Sequence, residues 1–131
     1  MILVDTNVLL DVLTGDPEWS EWSIIALRDH AASPLAINEI VYAEMAGHTP
    51  SEKELDSAIS LLNLNLERIP KSALYLAGQV FYRYRRMGGV RTGVLPDFFI
   101  GAHAQIAGLP ILTRDLRRYR TYFPKVKLIS P

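Results

Sequence analysis

The sequence predicts an α/β fold of three layers, with a central, mainly parallel sheet between two layers of helices. Short apolar segments, such as residues 2–5 and 35–37, alternate along the chain with longer segments of helical periodicity. These short segments are apolar throughout, which is typical of parallel strands that are buried on both faces. The chain has 131 residues and no linker rich in proline, glycine or serine. We therefore expect a single domain over residues 1–131.

The elements of the first half follow from local signals. Residues 2–5 (ILVD) predict the first strand, and the apolar spacing of 6–13 predicts a helix after it. Pro17 can occupy the first position of the next helix, expected over residues 17–31, because that position needs no free N–H. Asn38 follows the strand at 35–37 and is a good N-cap for a helix that runs to Met45.

The second half continues the alternation. Ser51 begins a helix whose first residues, SEKE, resemble a capping box. A short strand is expected within residues 64–69, and a clear apolar stripe predicts a helix over 71–87. Pro96 opens a helix over residues 96–107. Two further strands complete the expected sheet, at residues 109–113 and 126–129.

Composition excludes several classes of protein. The chain has no cysteine, which rules out a disulfide scaffold, a cysteine-ligated metal and a cysteine nucleophile. The N-terminal sequence MILVDTN lacks the pattern of a signal peptide, and no apolar run approaches the roughly 20 residues of a membrane span. We expect a cytoplasmic protein that does not enter a membrane.

The zero net charge hides an asymmetry. Residues 1–82 carry four basic and twelve acidic side chains, whereas residues 83–131 carry ten basic and two acidic ones. The two halves can simply neutralise each other on the surface. Alternatively, the basic half binds a polyanion, for which arginine is well suited. Tyr82, Tyr84, Tyr119 and Tyr122 lie among these arginines and are candidates for stacking on unpaired bases.

Four acids are placed where such a fold gathers its ligands, beyond the carboxyl ends of the strands. They are Asp5, Glu44, Asp97 and Asp115. Each has a simpler explanation: Asp5 and Asp115 can cap the helices that follow them, and Asp97 can complement a helix dipole. Against this, Asp97 and Glu44 share helical faces with apolar residues, which is unusual for acids that have no partner.

If these acids converge, a cation is needed. Two carboxylates about 5 Å apart repel by about 3 kcal/mol at an effective dielectric constant of about 20. Several such pairs exceed what a domain of roughly 5–15 kcal/mol stability can absorb. Hard oxygen ligands without cysteine favour Mg²⁺ or Mn²⁺ over Zn²⁺. The pattern thus predicts a divalent-metal site for phosphoryl chemistry.

Four segments of the chain, taken together, resemble PIN-domain ribonucleases, and within that family the VapC-type toxins of toxin–antitoxin pairs. These segments are ILVDTNVLLDVL, INEIVYAEMAG, LPDFFIGAHAQIAGLPILTRD and RTYFPKVKLISP. The resemblance implies a PIN-like three-layer fold and Mg²⁺- or Mn²⁺-dependent hydrolysis of RNA. It also implies a cognate antitoxin, which we place between the helices near 17–31 and 51–63, and a homodimer.

Matching positions to the family's motifs implies that four acids are both catalytic and metal-binding: Asp5, Glu44, Asp97 and Asp115. It also implies that Thr6, Asn7 and Thr113 line the site and bind substrate. Arg114 is a further candidate, either holding a phosphate or pairing with Asp115. Two alternatives remain open at this point: an RNA-processing nuclease without an antitoxin, and a non-catalytic module that binds a cation or RNA.

Overall fold

The structure is a computed structural model that describes residues 1–91 and 93–131. The strands are β1 (Ile2–Val4), β2 (Leu35–Ile37), β3 (Leu64–Leu66), β4 (Ile111–Leu112) and β5 (Leu128–Ile129). The helices are α1 (Thr6–Thr14), α2 (Ser20–Asp29), α3 (Glu39–Ala46), α4 (Glu52–Leu61), α5 (Lys71–Arg86), α6 (Leu95–Ala107) and α7 (Arg117–Tyr122). Within the described residues, no helix has both the length and the apolar character needed to cross a membrane.

The five strands form one parallel sheet in the order β3-β2-β1-β4-β5. Every residue of β1, β2 and β4 is buried. Because successive side chains of a strand point to opposite faces, burial of all of them means that helices cover both faces of the sheet. The α/β architecture with a parallel central sheet is therefore confirmed.

The strand order reverses between β1 and β4, and this reversal positions the candidate site. The chain builds the sheet outward from β1 through β2 to β3, then returns to place β4 on the other side of β1. Val4 is paired with Leu112, and the Asp5 N–H donates to the Leu112 carbonyl at 2.9 Å. The residues that follow β1 and β4 consequently lie side by side at the switch point, where open α/β sheets bind their ligands.

Most element boundaries agree with the expectations, and the start of α2 does not. Asn38 caps α3, accepting from the N–H groups of Ile40 and Val41, and Ser51 caps α4. The helix expected to begin at Pro17 begins instead at Ser20. The reason is Asp16, whose Oδ1 accepts from the N–H groups of Glu18 and Trp19 and holds residues 17–19 in a turn.

An aromatic cluster joins α5, α6 and α7. The Phe98 ring, from α6, lies 5.7 Å from Tyr84 and 4.9 Å from Tyr122, measured between centroids. Phe123 is also buried against Phe98. Tyr84 and Tyr122 therefore contribute to packing, whereas Tyr82 is 63% exposed and is the one of these three tyrosines that stands free on the surface.

Close packing in this region makes a specific prediction for two helical glycines. A Cβ on Gly101 of α6 would overlap the buried ring of Phe123, whereas one on Gly78 of α5 would meet no atom within 4 Å. We expect Gly101→Ala to lower the free energy of unfolding by about 1–3 kcal/mol, because the ring must move in a packed core. Gly78→Ala should raise it by about 0.5–1 kcal/mol through helix propensity. Urea unfolding measures both; equal effects would show that the two sites are packed alike.

Candidate active site

Asp5 is at the centre of the candidate site and is buried with only 4% of its surface exposed. Its Oδ1 accepts from the Thr6 N–H at 2.7 Å, so Asp5 does cap α1, as the simpler explanation held. Its Oδ2 accepts from the hydroxyls of Thr113 at 2.8 Å and Tyr119 at 2.9 Å. Burial raises the pKa of Asp5 to about 7; these hydrogen bonds oppose the rise, and the charge of Asp97 adds to it.

Asn7 and Thr113 bind the start of α1 to the end of β4. The Asn7 amide donates to Asp5 Oδ2 at 3.3 Å and to Thr113 Oγ1 at 3.2 Å, and its carbonyl accepts from the Arg114 N–H at 3.3 Å. Thr113 is fully buried. The structure thus brings both predicted polar residues to the Asp5 carboxylate, where they orient it.

Tyr119 belongs to the candidate site through a contact that the sequence analysis did not predict. It is 2% exposed and donates to Asp5 from α7, so the prediction that it stacks on bases is wrong. The error has a clear source, because Tyr119 lies in the polar segment RRYR and its burial comes from tertiary packing, which places α7 against α6. No local pattern in the sequence marks it as buried.

Glu44 reaches the site from α3 through Thr6. The Thr6 hydroxyl donates to Glu44 Oε1 at 2.8 Å, joining the first residue of α1 to the carboxylate. Burial raises the pKa of the half-buried Glu44, the Thr6 hydrogen bond lowers it, and the charge of Asp97 raises it again. Thr6 is therefore a positioning residue for Glu44.

Asp97 stands in the first turn of α6, on the face that Ile100, Gly101 and Ala104 bury in the core. Its Oδ2 accepts from Arg118 Nη1 at 2.6 Å, a contact that the sequence analysis did not predict. Burial raises the pKa of Asp97, the Arg118 guanidinium lowers it, and the charge of Asp115 raises it. Asp97 is thus electrostatically coupled to the other acids while paired with a cation.

Asp115 differs from the other three acids because it is exposed. Its Oδ1 accepts from the Arg117 N–H at 3.3 Å, but the N-cap position of α7 is Leu116, which has no side-chain cap, so Asp115 is not the N-cap. Its N–H donates to Thr113 Oγ1 at 3.0 Å. Its charge acts on Asp97, but its carboxylate lies at the rim of the site.

Arg114 pairs with Asp11 and not with Asp115, which corrects one of the two roles expected for it. Its Nε and Nη2 donate to the two oxygens of Asp11 at 2.8 and 3.1 Å, and Ser23 donates to the same carboxylate at 2.9 Å. Asp11 is 3% exposed, and the guanidinium lies 5.3 Å from the Trp19 ring. This bidentate pair, whose acid is buried, ties the loop after β4 to α1 and α2.

The donor set can be compared with what a divalent cation requires. Among the described residues, no three acidic or histidine side chains are gathered closely enough to hold a metal ion as they stand. Within those same residues, however, neither Asp5 nor Glu44 has a cationic partner, and both have raised pKa values. A buried and a half-buried carboxylate without a counter-ion offer hard oxygen ligands, which suit Mg²⁺ or Mn²⁺. The residues present therefore fit such an ion.

Comparison with known proteins identifies the family. The family model described as the PIN domain matches residues 2–124. The chain belongs to the PIN domain family. A search of curated proteins gives no match to it. The acids described above therefore lie within a PIN domain.

Solved structures with the same fold extend along the whole chain. VapBC2 from Rickettsia felis, bound to a DNA fragment from the promoter, aligns with a TM-score of 0.74 and 17% identity, covering 100% of this chain and 99% of that one. A toxin-antitoxin complex from Klebsiella pneumoniae aligns with a TM-score of 0.68 and 26% identity, covering 100% and 98%. FitAcB from Neisseria gonorrhoeae gives a TM-score of 0.70 and 20% identity, covering 100% and 98%.

Proposed function

We propose that this PIN domain is an endoribonuclease that depends on Mg²⁺ or Mn²⁺ and acts as the toxin of a toxin–antitoxin pair. One observation carries the proposal. The buried carboxylate of Asp5 lies at the topological switch point without a cationic partner among the described residues, electrostatically coupled to Asp97. Membership of the PIN domain family and similarity to the VapBC, Klebsiella and FitAcB structures support it.

Asp5, Glu44 and Asp97 would hold the ion, with Asp115 at the rim of the site. The ion, when bound, supplies an activated water and neutralises charge on a phosphodiester as it breaks. Thr113, Asn7 and Tyr119 fix the orientation of Asp5, and Thr6 fixes that of Glu44. Keeping these carboxylates in place before substrate arrives is the main contribution of the protein.

Exposed arginines offer the complementary charge for RNA. Carboxylates repel a polyanion, so cations are needed close to them to bind phosphates. Exposed arginines on α5, the loop after it and α7 meet this need: Arg83, Arg85, Arg86, Arg91, Arg117 and Arg120. Arg114 remains a proposed phosphate contact, although its guanidinium is engaged with Asp11. Tyr82, exposed and 5.7 Å from the Arg86 guanidinium, is the best placed tyrosine for stacking on a base.

An antitoxin and a second copy of this chain are the proposed protein partners. The similar structure from Klebsiella pneumoniae is a toxin-antitoxin complex, and we propose that this chain also binds an antitoxin and forms a homodimer. Ile24 and Ile25 of α2 and Leu61 of α4 are exposed, which supports the expectation that apolar surface near these helices binds a partner.

The proposal is tested by incubating the purified protein with a pool of structured RNA in Mn²⁺, Mg²⁺ or chelator. We expect discrete fragments in either metal and none in chelator. Asp97→Asn keeps the shape of the side chain, removes its charge and should remove cleavage. Metal-independent fragments, or unchanged cleavage by Asp97→Asn, would overturn the assignment. Cleavage by this protein, together with the absence of a neighbouring gene for an antitoxin, would instead indicate an RNA-processing enzyme.

A further inference from the structure

Two arginine–aspartate pairs lie close in sequence, and their geometries differ. Arg114 contacts Asp11 through two nitrogens, at 2.8 and 3.1 Å, and Asp11 is 3% exposed. Arg118 contacts Asp97 through one nitrogen, at 2.6 Å, and both side chains are 27% exposed. The two arginines are similarly exposed, at 29% and 27%, so the pairs differ in their acids and in the number of contacts. Two hydrogen bonds to a buried acid cost more to break than one hydrogen bond to a partly exposed acid. The Arg118–Asp97 pair is therefore the displaceable one.

The position of Arg118 within α7 makes this pair part of the active site. Its neighbour Tyr119 donates to Asp5 at 2.9 Å, so two consecutive residues of α7 contact two of the proposed metal ligands. Among the described residues, Arg118 is the only basic side chain that pairs with any of the four site acids. A single paired guanidinium therefore offsets part of the negative charge of four carboxylates.

We infer that Arg118 is an internal counter-ion that competes with the divalent cation for Asp97 and so lowers the affinity of the site for metal. The inference rests on the proposed function and adds a control on it. Arg118 Nη1 lies 2.6 Å from Asp97 Oδ2, so a metal ion on the same carboxylate would lie within a few ångströms of the guanidinium and be repelled by its charge. A divalent ion interacts with these carboxylates with twice the charge of the guanidinium, which favours displacement. In the metal-free protein, Arg118 then supplies the Asp97 carboxylate with a hydrogen-bond donor and a positive charge.

The consequence is a reciprocal effect of one substitution. Without Arg118, the metal-free protein loses a favourable contact of Asp97, so it should unfold at a lower temperature. The same change removes the competitor, so Mn²⁺ should bind about tenfold more tightly, the effect of losing one charge-assisted hydrogen bond. A merely structural role predicts the opposite change in metal affinity, because a damaged site binds metal more weakly.

The test is the Mn²⁺ dissociation constant, measured by electron paramagnetic resonance of free Mn²⁺ on the full chain. Arg118→Gln is compared with Arg118→Lys, which keeps the charge, and with Arg120→Gln. Arg120 is an exposed residue of the same helix that has no ion pair within the described part of the chain. We expect about tenfold tighter binding for Arg118→Gln, and values close to the wild type for the other two.

The outcomes separate the two proposals. Equal or weaker Mn²⁺ binding by Arg118→Gln, beside a wild type that binds Mn²⁺ and cleaves RNA, would overturn the role of Arg118 and leave the nuclease assignment standing. An equal gain in Arg120→Gln would also overturn it, since any lost positive charge would then suffice. No saturable binding by any of the four proteins would overturn both proposals, because the site would then hold no divalent ion.

Discussion

Asp5→Asn is expected to lower RNA cleavage by about a thousandfold or more and, at the same time, to stabilise the metal-free protein. On the proposed function, the loss follows from removing a metal ligand, and each 1.4 kcal/mol of lost charge stabilisation is worth about tenfold in rate. The gain follows from burial. The Asp5 carboxylate is 4% exposed and has no cationic partner among the described residues, so its charge is costly above neutral pH.

Two further variants make this result specific. Asp5→Ala also removes the charge, but it leaves the hydroxyls of Thr113 and Tyr119 without their acceptor, and we expect it to destabilise the protein. Asp29→Asn changes an exposed acid at the end of α2 and should leave both properties unchanged. The comparison uses cleavage rates measured in Mn²⁺ and urea unfolding measured in chelator, both at pH 8. Wild-type activity in Asp5→Asn would remove Asp5 from the site.

The second large effect is the dependence of stability on pH. Burial raises the pKa of Asp5 to about 7, whereas the unfolded chain has a value near 3.9. Between these values the folded protein binds the proton that the unfolded protein has lost, so the free energy of unfolding falls as pH rises from about 4 to about 7. Asp5 alone accounts for a fall on the order of 4 kcal/mol.

Other acids also titrate, so the difference between two proteins is the informative quantity. Glu44 and Asp97 have raised pKa values and act in the same direction as Asp5, and both remain in Asp5→Asn. We therefore expect the wild type to lose stability relative to Asp5→Asn between pH 4 and 7 in chelator. Urea unfolding at four pH values measures this. Parallel curves for the two proteins would contradict a raised pKa of Asp5.

The sequence predicts the fold well because its signals are local and agree with one another. Apolar strands, the caps at Asn38 and Ser51 and the stripe of α5 each indicate the element that the structure contains. The start of α2 was predicted wrongly because the side chain of Asp16 stabilises a turn that competes with a helix beginning at Pro17. Local competition of this kind depends on side-chain geometry, which spacing does not reveal.

The site was predictable in part. Asp5, Thr6, Asn7 and Thr113 are joined by hydrogen bonds because β1 and β4 are neighbours, and the sequence places these residues at the ends of those strands. Tyr119 and Arg118 were not predicted as contacts of Asp5 and Asp97, because α7 is a short polar helix and only its packing decides which way each side chain points. A pair with the neighbouring Asp115 was one of the two roles considered for Arg114, yet its guanidinium donates two hydrogen bonds to the buried carboxylate of Asp11.

The central claim is that the acids beyond β1, β2 and β4 form one divalent-cation site. The most direct test is calorimetric titration of Mn²⁺ into the metal-free wild type and into Asp5→Asn at pH 8, with Asp29→Asn as the control. We expect saturable binding to the wild type and to Asp29→Asn, and its loss in Asp5→Asn. Equal binding to all three proteins, or no saturable binding to the wild type, would contradict the claim.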